Sequence, residues 1–312
     1  MSDVLAGFRH EALLYGSHRQ FLDGTLDFIA GGLSASEPML VVLAAGKIEE
    51  LKQALGADAG RVQFADMADV GTNPARIIPA WSAFADEATA RGGPFRGIGE
   101  PIWAERSADE LVECQRHESL LNLAFAGAAG FRLLCPYDTT LGPDVLDEAH
   151  RSHPEVVTGG SAHRGRGSCR DLAEVAAPFD RPLPEPPPGF EQVPVGPESL
   201  GQVRAAVIRH GRHAGLGETR TDDLVMAVNE VVTNTIVHGG GFGTLRLWRQ
   251  GSSLVCEVTD GGRITDPLAG RVRPAADDER GRGLWLATQL CDLIQVRSFD
   301  AASVVRLHMR RA

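Results

Sequence analysis

The spacing of apolar residues changes character twice along the chain. Up to residue 157 it alternates between helical and strand-like runs. "QFLDGTLDFIAGGLS" has apolar positions three and four apart and ends on glycines, which predicts a helix. "PMLVVLA" is a short continuous apolar run, as in a strand buried on both faces. "KIEELKQALG" is again helical, and "VQFADM" is strand-like. "NPARIIPAWSAFADEATARGG" predicts a long helix opening at Asn73-Pro74. "ADELVECQRHESLLNLAFAG" predicts another helix and "FRLLCPYD" another strand. This alternation implies an α/β domain with a mostly parallel sheet.

Periodicity then stops. "TGGSAHRGRGSCRD" is rich in glycine and basic residues, and "PFDRPLPEPPPGF" holds six prolines in thirteen residues. Proline removes backbone donors and favours extended conformations, so this stretch reads as a semi-rigid linker. The expected division is a domain over 1–157, a linker over 158–188 and a second domain over 189–312.

After the linker the order differs. "FEQVPV" is a strand candidate, followed by two long helices, "PESLGQVRAAVIRHGRHAG" and "GETRTDDLVMAVNEVVTNTIVHGG". "GTLRLWRQ" and "SLVCEVTDG" alternate like a hairpin turning at Gly251. A helix, "GRGLWLATQLCD", and a last hairpin, "LIQVRSF" with "SVVRLHMR", complete it. Strands and helices are segregated, so this half is α+β, one antiparallel sheet with helices on one face.

Composition narrows the classes. The 312 residues suit two domains, and 43% hydrophobic with 23% charged content is ordinary for a globular protein. No apolar run approaches the ~18 residues of a membrane span. The opening residues lack a basic segment followed by an apolar one, so no secretory leader is expected and a cytoplasmic location is. Five scattered cysteines without a CxxC pair favour reduced thiols. A net charge of -10 argues against direct nucleic-acid binding.

The chemistry concentrates in three short stretches of the second half. In "NEVVTNTIVHGGG" Glu230, Asn234 and His238 recur every four residues, on one side of a helix. In "VTDGG" Asp260 ends an apolar strand and Gly262 follows two residues later. "ERGRGLWLA" is a glycine turn opening a helix. A strand-end carboxylate accepts from an exocyclic amine, and a glycine beside it admits a flat ring. A glycine turn at a helix N-terminus presents N–H groups to phosphates. An amide oxygen suits Mg²⁺, and a carboxylate one turn away can accept a hydroxyl proton. The three glycines 239–241 read as a helix stop.

These stretches resemble the N, G1 and G2 boxes of the GHKL ATPases, and residues 189–312 are most similar to the anti-sigma-factor serine kinases. Their "AxxExxTNxxxH" pattern is matched by Ala227, Glu230, Thr233, Asn234 and His238. The resemblance implies ATP and Mg²⁺, with Asn234 on the metal and Asp260 on adenine. It implies Gly262 beside the ring, and Gly281, Arg282 and Gly283 near the phosphates. It implies Glu230 as the base for transfer to a protein serine, and His238 as a further contact or simply the helix end. Asp277, Asp278 and Glu279 before the glycine turn would weaken phosphate affinity by repulsion. A histidine kinase would need a phosphoacceptor helix before the ATP domain. The preceding segment is the proline linker, and His210 and His213 fall inside the domain.

In the first half, "LVVLAAGKIEEL" invites a phosphate-loop reading that fails: Val41 replaces the first glycine, and Ile48 follows Lys47 where Ser or Thr is required. "HEALL" at His10 and "HESLL" at His117 lack the second histidine of a zinc-protease motif, and "HRSH" alone makes no metal site, so these histidines read as packing or capping residues. "ADMADVGTNPARIIPAW", "RGIGEPIWAERS", "ECQRHESLLNLAF", "LLCPYD" and "RSHPE" together resemble the MEDS sensory domain of methanogen and methylotroph regulators, over residues 8–157. The resemblance implies a RecA-like core without a functional P-loop and a small organic ligand. Candidate pocket residues are Asp66, Glu100, Trp103, Arg106, His117, Glu118, Cys135, Tyr137, Asp138 and His153, each equally able to serve as an internal hydrogen-bonding group.

The expected function is a signalling regulator. A sensory domain would control an ATP-binding anti-sigma factor and serine/threonine kinase, whose partners are a sigma factor and an anti-anti-sigma protein of the STAS type. A homodimer is compatible with this. The alternatives are an ATP-gated protein-binding module without transfer, and a sensor carrying an inactive ATPase half.

Overall fold

A computed structural model describes residues 7–158, 161–164, 175–275 and 281–311. The chain divides into two compact units, Met1–Ala176 and Ala177–Ala312.

The first unit is built from β1 (Arg9–Tyr15), α1 (His18–Ser34), β2 (Met39–Leu43), α2 (Ala45–Leu55), β3 (Gln63–Asp66), α3 (Met67–Val70), α4 (Ile77–Arg91), β4 (Phe95–Gly99), α5 (Ala108–Ala124), β5 (Phe131–Asp138), α6 (Pro143–Ser152), β6 (Glu155–Thr158) and β7 (Ser161–Arg164). Its strands lie in the order β3-β2-β4-β5-β1-β6-β7. The first six are parallel, and β7 closes the edge antiparallel to β6. A parallel sheet is covered on both faces, which is why β2 and β5 are apolar almost throughout. One face carries Leu13, Phe21, Ile29, Val41, Leu43 and Leu51. The other carries Trp81, Phe95 and Phe131, the last two stacked with ring centroids 4.7 Å apart.

Three elements depart from the patterning. β1 reads "RHEALLY", with three polar residues first, so its strand character was hidden. His10 and Glu11 are nevertheless buried, and Glu11 accepts from the Arg132 guanidinium at 2.9 Å on the adjacent strand. β4 reads "FRGIG", which resembles a loop. Its glycines are spacers, since a Cβ on Gly97 or Gly99 would stand 2.7 or 2.8 Å from the Trp81 ring. β7 lies within the stretch expected to be linker, so the sheet runs past residue 157.

The second unit comprises β8 (Glu191–Val195), α7 (Leu200–Ala214), α8 (Glu218–His238), β9 (Gly243–Gln250), β10 (Ser253–Asp260), α9 (Arg282–Leu290), β11 (Leu293–Phe299) and β12 (Ala302–Arg310). The strands form one antiparallel sheet in the order β11-β12-β10-β9-β8. α8 buries Leu224, Ala227, Val228, Val231 and Val232, spaced as one helical stripe. It ends at glycines: the Gly239 N–H donates to the Asn234 and Thr235 carbonyls, and Gly240 and Gly241 have φ of 88° and 87°. No described helix is long and apolar enough to cross a membrane.

Candidate functional site

Glu230, Asn234, His238, Asp260, Gly262, Gly281, Arg282 and Gly283, singled out from three separate stretches, line one cleft of about 680 Å³. α8 supplies Glu230, Asn234 and His238, which follow one another at helical spacing beside the buried stripe. Glu230 and Asn234 are half-buried and His238 is exposed. Ile264, Ala269, Leu284 and Val305 add an apolar wall. The size is ordinary for a small-ligand pocket.

Asp260 is fixed before any ligand arrives. Its Oδ1 accepts from the Gly262 N–H at 2.8 Å and the Ser303 hydroxyl at 2.7 Å. Its Oδ2 accepts from the Thr235 hydroxyl at 2.7 Å. Ser303 stands directly across the β10–β12 ladder from Asp260, so strand register makes this contact. An ionised carboxylate has about four acceptor sites. Three are used, and the remaining one, on Oδ2, is free for an amine. Thr235 and Ser303 were not anticipated. Thr235 adjoins Asn234 in sequence, but Ser303 is visible only once the last hairpin is in register.

The glycines do steric work at this site. A Cβ on Gly262 would lie 2.8 Å from the Gly239 Cα, and one on Gly239 would lie 2.5 Å from the Asp260 Cγ. The α8 terminus therefore meets the "DGG" turn backbone to backbone. Gly281 is the N-cap of α9 with φ 80°, a left-handed conformation that favours glycine. Trp285 N–H closes the first helical turn on the Gly281 carbonyl at 3.1 Å, so the N–H groups of 282–284 open the helix. Gly283 brings that end against α8: a Cβ there would be 2.8 Å from Glu230 Oε2 and 3.3 Å from Asn234 Nδ2. A carboxylate, an amide and a helix N-terminus thus converge, groups that could together hold a magnesium ion and phosphate oxygens. Asp277, Asp278 and Glu279 lie outside the described residues.

Two family models match the chain. Residues 9–154 match the MEthanogen/methylotroph, DcmR Sensory domain (MEDS), and residues 193–309 match the histidine kinase-like ATPase domain. The chain is a MEDS domain fused to a histidine kinase-like ATPase domain. Among solved structures it is similar to the RsbU and RsbW domains of Rv1364c from Mycobacterium tuberculosis, with 17% identity and a TM-score of 0.31, covering 40% of this chain and 33% of that one. It thus spans about a third of that relative. It is also similar to the Acinetobacter baumannii histidine kinase AdeS, with 12% identity and a TM-score of 0.24, covering 38% of this chain and 67% of that one. No curated protein matches the sequence.

In the MEDS domain the candidate pocket residues fall into separate places. Asp66 caps α3 by accepting from the Ala68 N–H at 2.9 Å, and Asp138 accepts from the Thr140 N–H at 2.8 Å. Arg106 stacks on the Trp103 ring at 3.8 Å and donates to the Gly71 and Pro101 carbonyls at 2.7 and 3.1 Å. Glu100, just past β4, accepts from Lys47 Nζ at 2.6 Å and from the Tyr15 hydroxyl at 2.6 Å. Burial raises the Glu100 carboxyl above its ordinary value, against the opposing pull of Lys47. Lys47 is thus held by internal partners.

His117, Glu118, Cys135, Tyr137 and His153 are all buried. Glu118 lies 3.1 Å from His153 Nε2 and 3.2 Å from His10 Nε2, and the Cys135 Sγ lies 3.4 Å from His10 Nε2. Tyr137 sets its ring edge-on to His153 at 5.5 Å. Burial pushes the His10 imidazole down to about 4. Burial also raises the Cys135 thiol well above its usual value. His10 had read as a packing histidine. The structure joins it to residues more than a hundred positions away, a relation that no local motif encodes.

Proposed function

We propose that the ATPase domain binds ATP with Mg²⁺ and transfers phosphate to a serine of an anti-anti-sigma protein of the STAS type. Its other partner is a sigma factor, and the MEDS domain governs the exchange in response to a small organic compound. The observation that carries this reading is the meeting of Glu230, Asn234 and Gly283. It brings a carboxylate, a side-chain amide and the opening turn of α9 together at the cleft, which supports reading them as base, magnesium ligand and phosphate-binding end. Asn234 would hold the metal, Asp260 the adenine amine, and the opening N–H groups of α9 the phosphates. ATP supplies the phosphoryl group when bound. Glu230 accepts the proton of the incoming serine hydroxyl.

Two features favour serine over histidine transfer. The segment before the domain is proline-rich. His210, on α7, is engaged by the Glu191 carboxylate at 2.8 Å.

The test is radiolabelled phosphotransfer from ATP to the cognate partner, beside calorimetry of ATP with Mg²⁺. Transfer that is lost in Glu230→Ala while binding persists supports the kinase. ATP binding without transfer, with partner affinity still switched by nucleotide in Glu230→Ala, replaces it by an ATP-gated binding module. No ATP binding at all ends both.

A further inference from the structure

The buried cluster of the MEDS domain has no role in the proposed ATP chemistry. It gathers His10 from β1, Glu118 from α5, Cys135 from β5 and His153 from the end of α6. Each is 1% exposed, and their donor atoms lie within 4.8 Å of one another.

The positions of the protons decide what such a cluster needs. His153 Nδ1 lies 2.8 Å from the Ala149 carbonyl, which can only accept, so Nδ1 carries the proton. In a neutral ring Nε2 is then a bare lone pair. It faces Glu118 Oε2, which also accepts, at 3.1 Å. Asn122 fixes His10 in the same sense. Its Nδ2 donates to the Ser152 carbonyl at 2.7 Å, so its Oδ1 faces His10 Nδ1 at 3.3 Å. His10 Nε2 is therefore bare as well, 3.2 Å from the same carboxylate. The Cys135 thiol has one proton to offer, and that serves one acceptor only. Among the described residues neither Glu118 oxygen nor His153 Nε2 has a hydrogen-bond partner. Protonating one ring would set a buried ion pair against Glu118, and protonating both would bury two cations with centroids 3.9 Å apart. Lone pairs that converge in a sealed space are satisfied by a metal cation.

We propose that His10, Glu118, Cys135 and His153 form a closed four-ligand site for a divalent transition metal of the zinc type. A tetrahedral centre with bonds near 2.0–2.3 Å has ligand–ligand edges of about 3.3–3.8 Å. Three edges here are 3.1, 3.2 and 3.4 Å, so little adjustment is required. Binding forms a metal–sulfur bond and releases the Cys135 proton to solvent. The imidazoles stay neutral, and the thiolate and carboxylate balance the two positive charges, leaving a neutral buried centre. Asn122 and the Ala149 carbonyl orient the rings in the manner of outer-shell partners. Thiolate and imidazole ligands select against Mg²⁺ and Ca²⁺. With four protein ligands the site is structural, tying two adjacent strands to two helices.

The test uses the untagged full-length chain, expressed with supplemented Zn²⁺ or Co²⁺ because the folded site is sealed. The expected result is about one metal per chain by plasma mass spectrometry. The cobalt form should show tetrahedral ligand-field bands with thiolate-to-metal charge transfer. Cys135→Ser should remove the charge-transfer band, and His153→Ala should lower metal retention at least ~10-fold. Cys256→Ser, in the other domain, should change neither. Less than about a tenth of an equivalent in the wild type overturns the proposal. So does unchanged metal content in both ligand variants. Where those variants do not fold, the wild-type cobalt spectrum decides: a thiolate-free octahedral spectrum overturns the site.

Discussion

Asp260 and Glu118 are both carboxylates set against a domain core, with opposite surroundings. Asp260 receives three donors, from Gly262, Ser303 and Thr235, and faces a cleft with one acceptor position left. Glu118 faces imidazole nitrogens whose protons point elsewhere, and it lies out of solvent's reach. The first arrangement orients a carboxylate so that it can recognise a neutral donor that comes and goes. The second concentrates electron pairs and is completed by a resident cation. The donors around a carboxylate, more than its burial, tell which task it is built for.

The comparison can be broken from the ATPase side first. Glu230→Ala should reduce phosphotransfer by about 10²–10⁴-fold, measured with radiolabelled ATP, while nucleotide affinity changes little. Asp260→Asn replaces an acceptor with a group that also donates. It should weaken ATP by about 10–100-fold in calorimetry, since hydrogen bonds to charged groups contribute ~1.5–3 kcal/mol. An unchanged Kd would mean that the held carboxylate does not read the base.

On the MEDS side, metal removal should leave nucleotide affinity alone and lower the Tm of that domain. The fall should be about 10 °C, the size expected for a ligand at about 1,000 times its Kd. Gly283→Ala sharpens the contact at the phosphate end. The new methyl would meet the Glu230 carboxylate, whose tip can swing aside, so a loss of about threefold to tenfold in transfer is expected.

The smallest effect concerns pH. The Arg209 guanidinium and His210 hold the Glu191 carboxyl below its ordinary value. Its contribution is therefore complete above the unfolded pKa of about 4.3 and is lost as pH falls through the depressed folded value. The pair is solvent-exposed, so only a slight extra loss of stability below about pH 4 is expected, absent in Glu191→Gln.

Periodicity revealed most of the fold, because long helices and continuous apolar strands repeat their pattern over many residues. It failed where a strand's side chains serve other strands. β1 opens with Arg9, His10 and Glu11, each engaged by partners from elsewhere in the sheet or its helices. β4 gives up two side chains to make room for Trp81. The ATPase cleft was legible because its residues sit in three short stretches with helical or turn spacing. Its supports, Thr235 and Ser303, depend on pairing between distant segments. The Glu118 cluster was legible in part: Glu118, Cys135 and His153 stand in the stretches that resemble the MEDS domain, whereas His10 read as a packing residue.

The place of β1 also sets an order of events during synthesis. Among the described strands it comes first in the chain, yet its neighbours in the sheet are β5 and β6. His10 precedes Cys135 by 125 residues, a wait of roughly 6–25 s at common elongation rates. Until then the strand has no partner on either edge. The four-residue cluster can assemble only when the sheet closes around β1, which makes it a late checkpoint of completed folding.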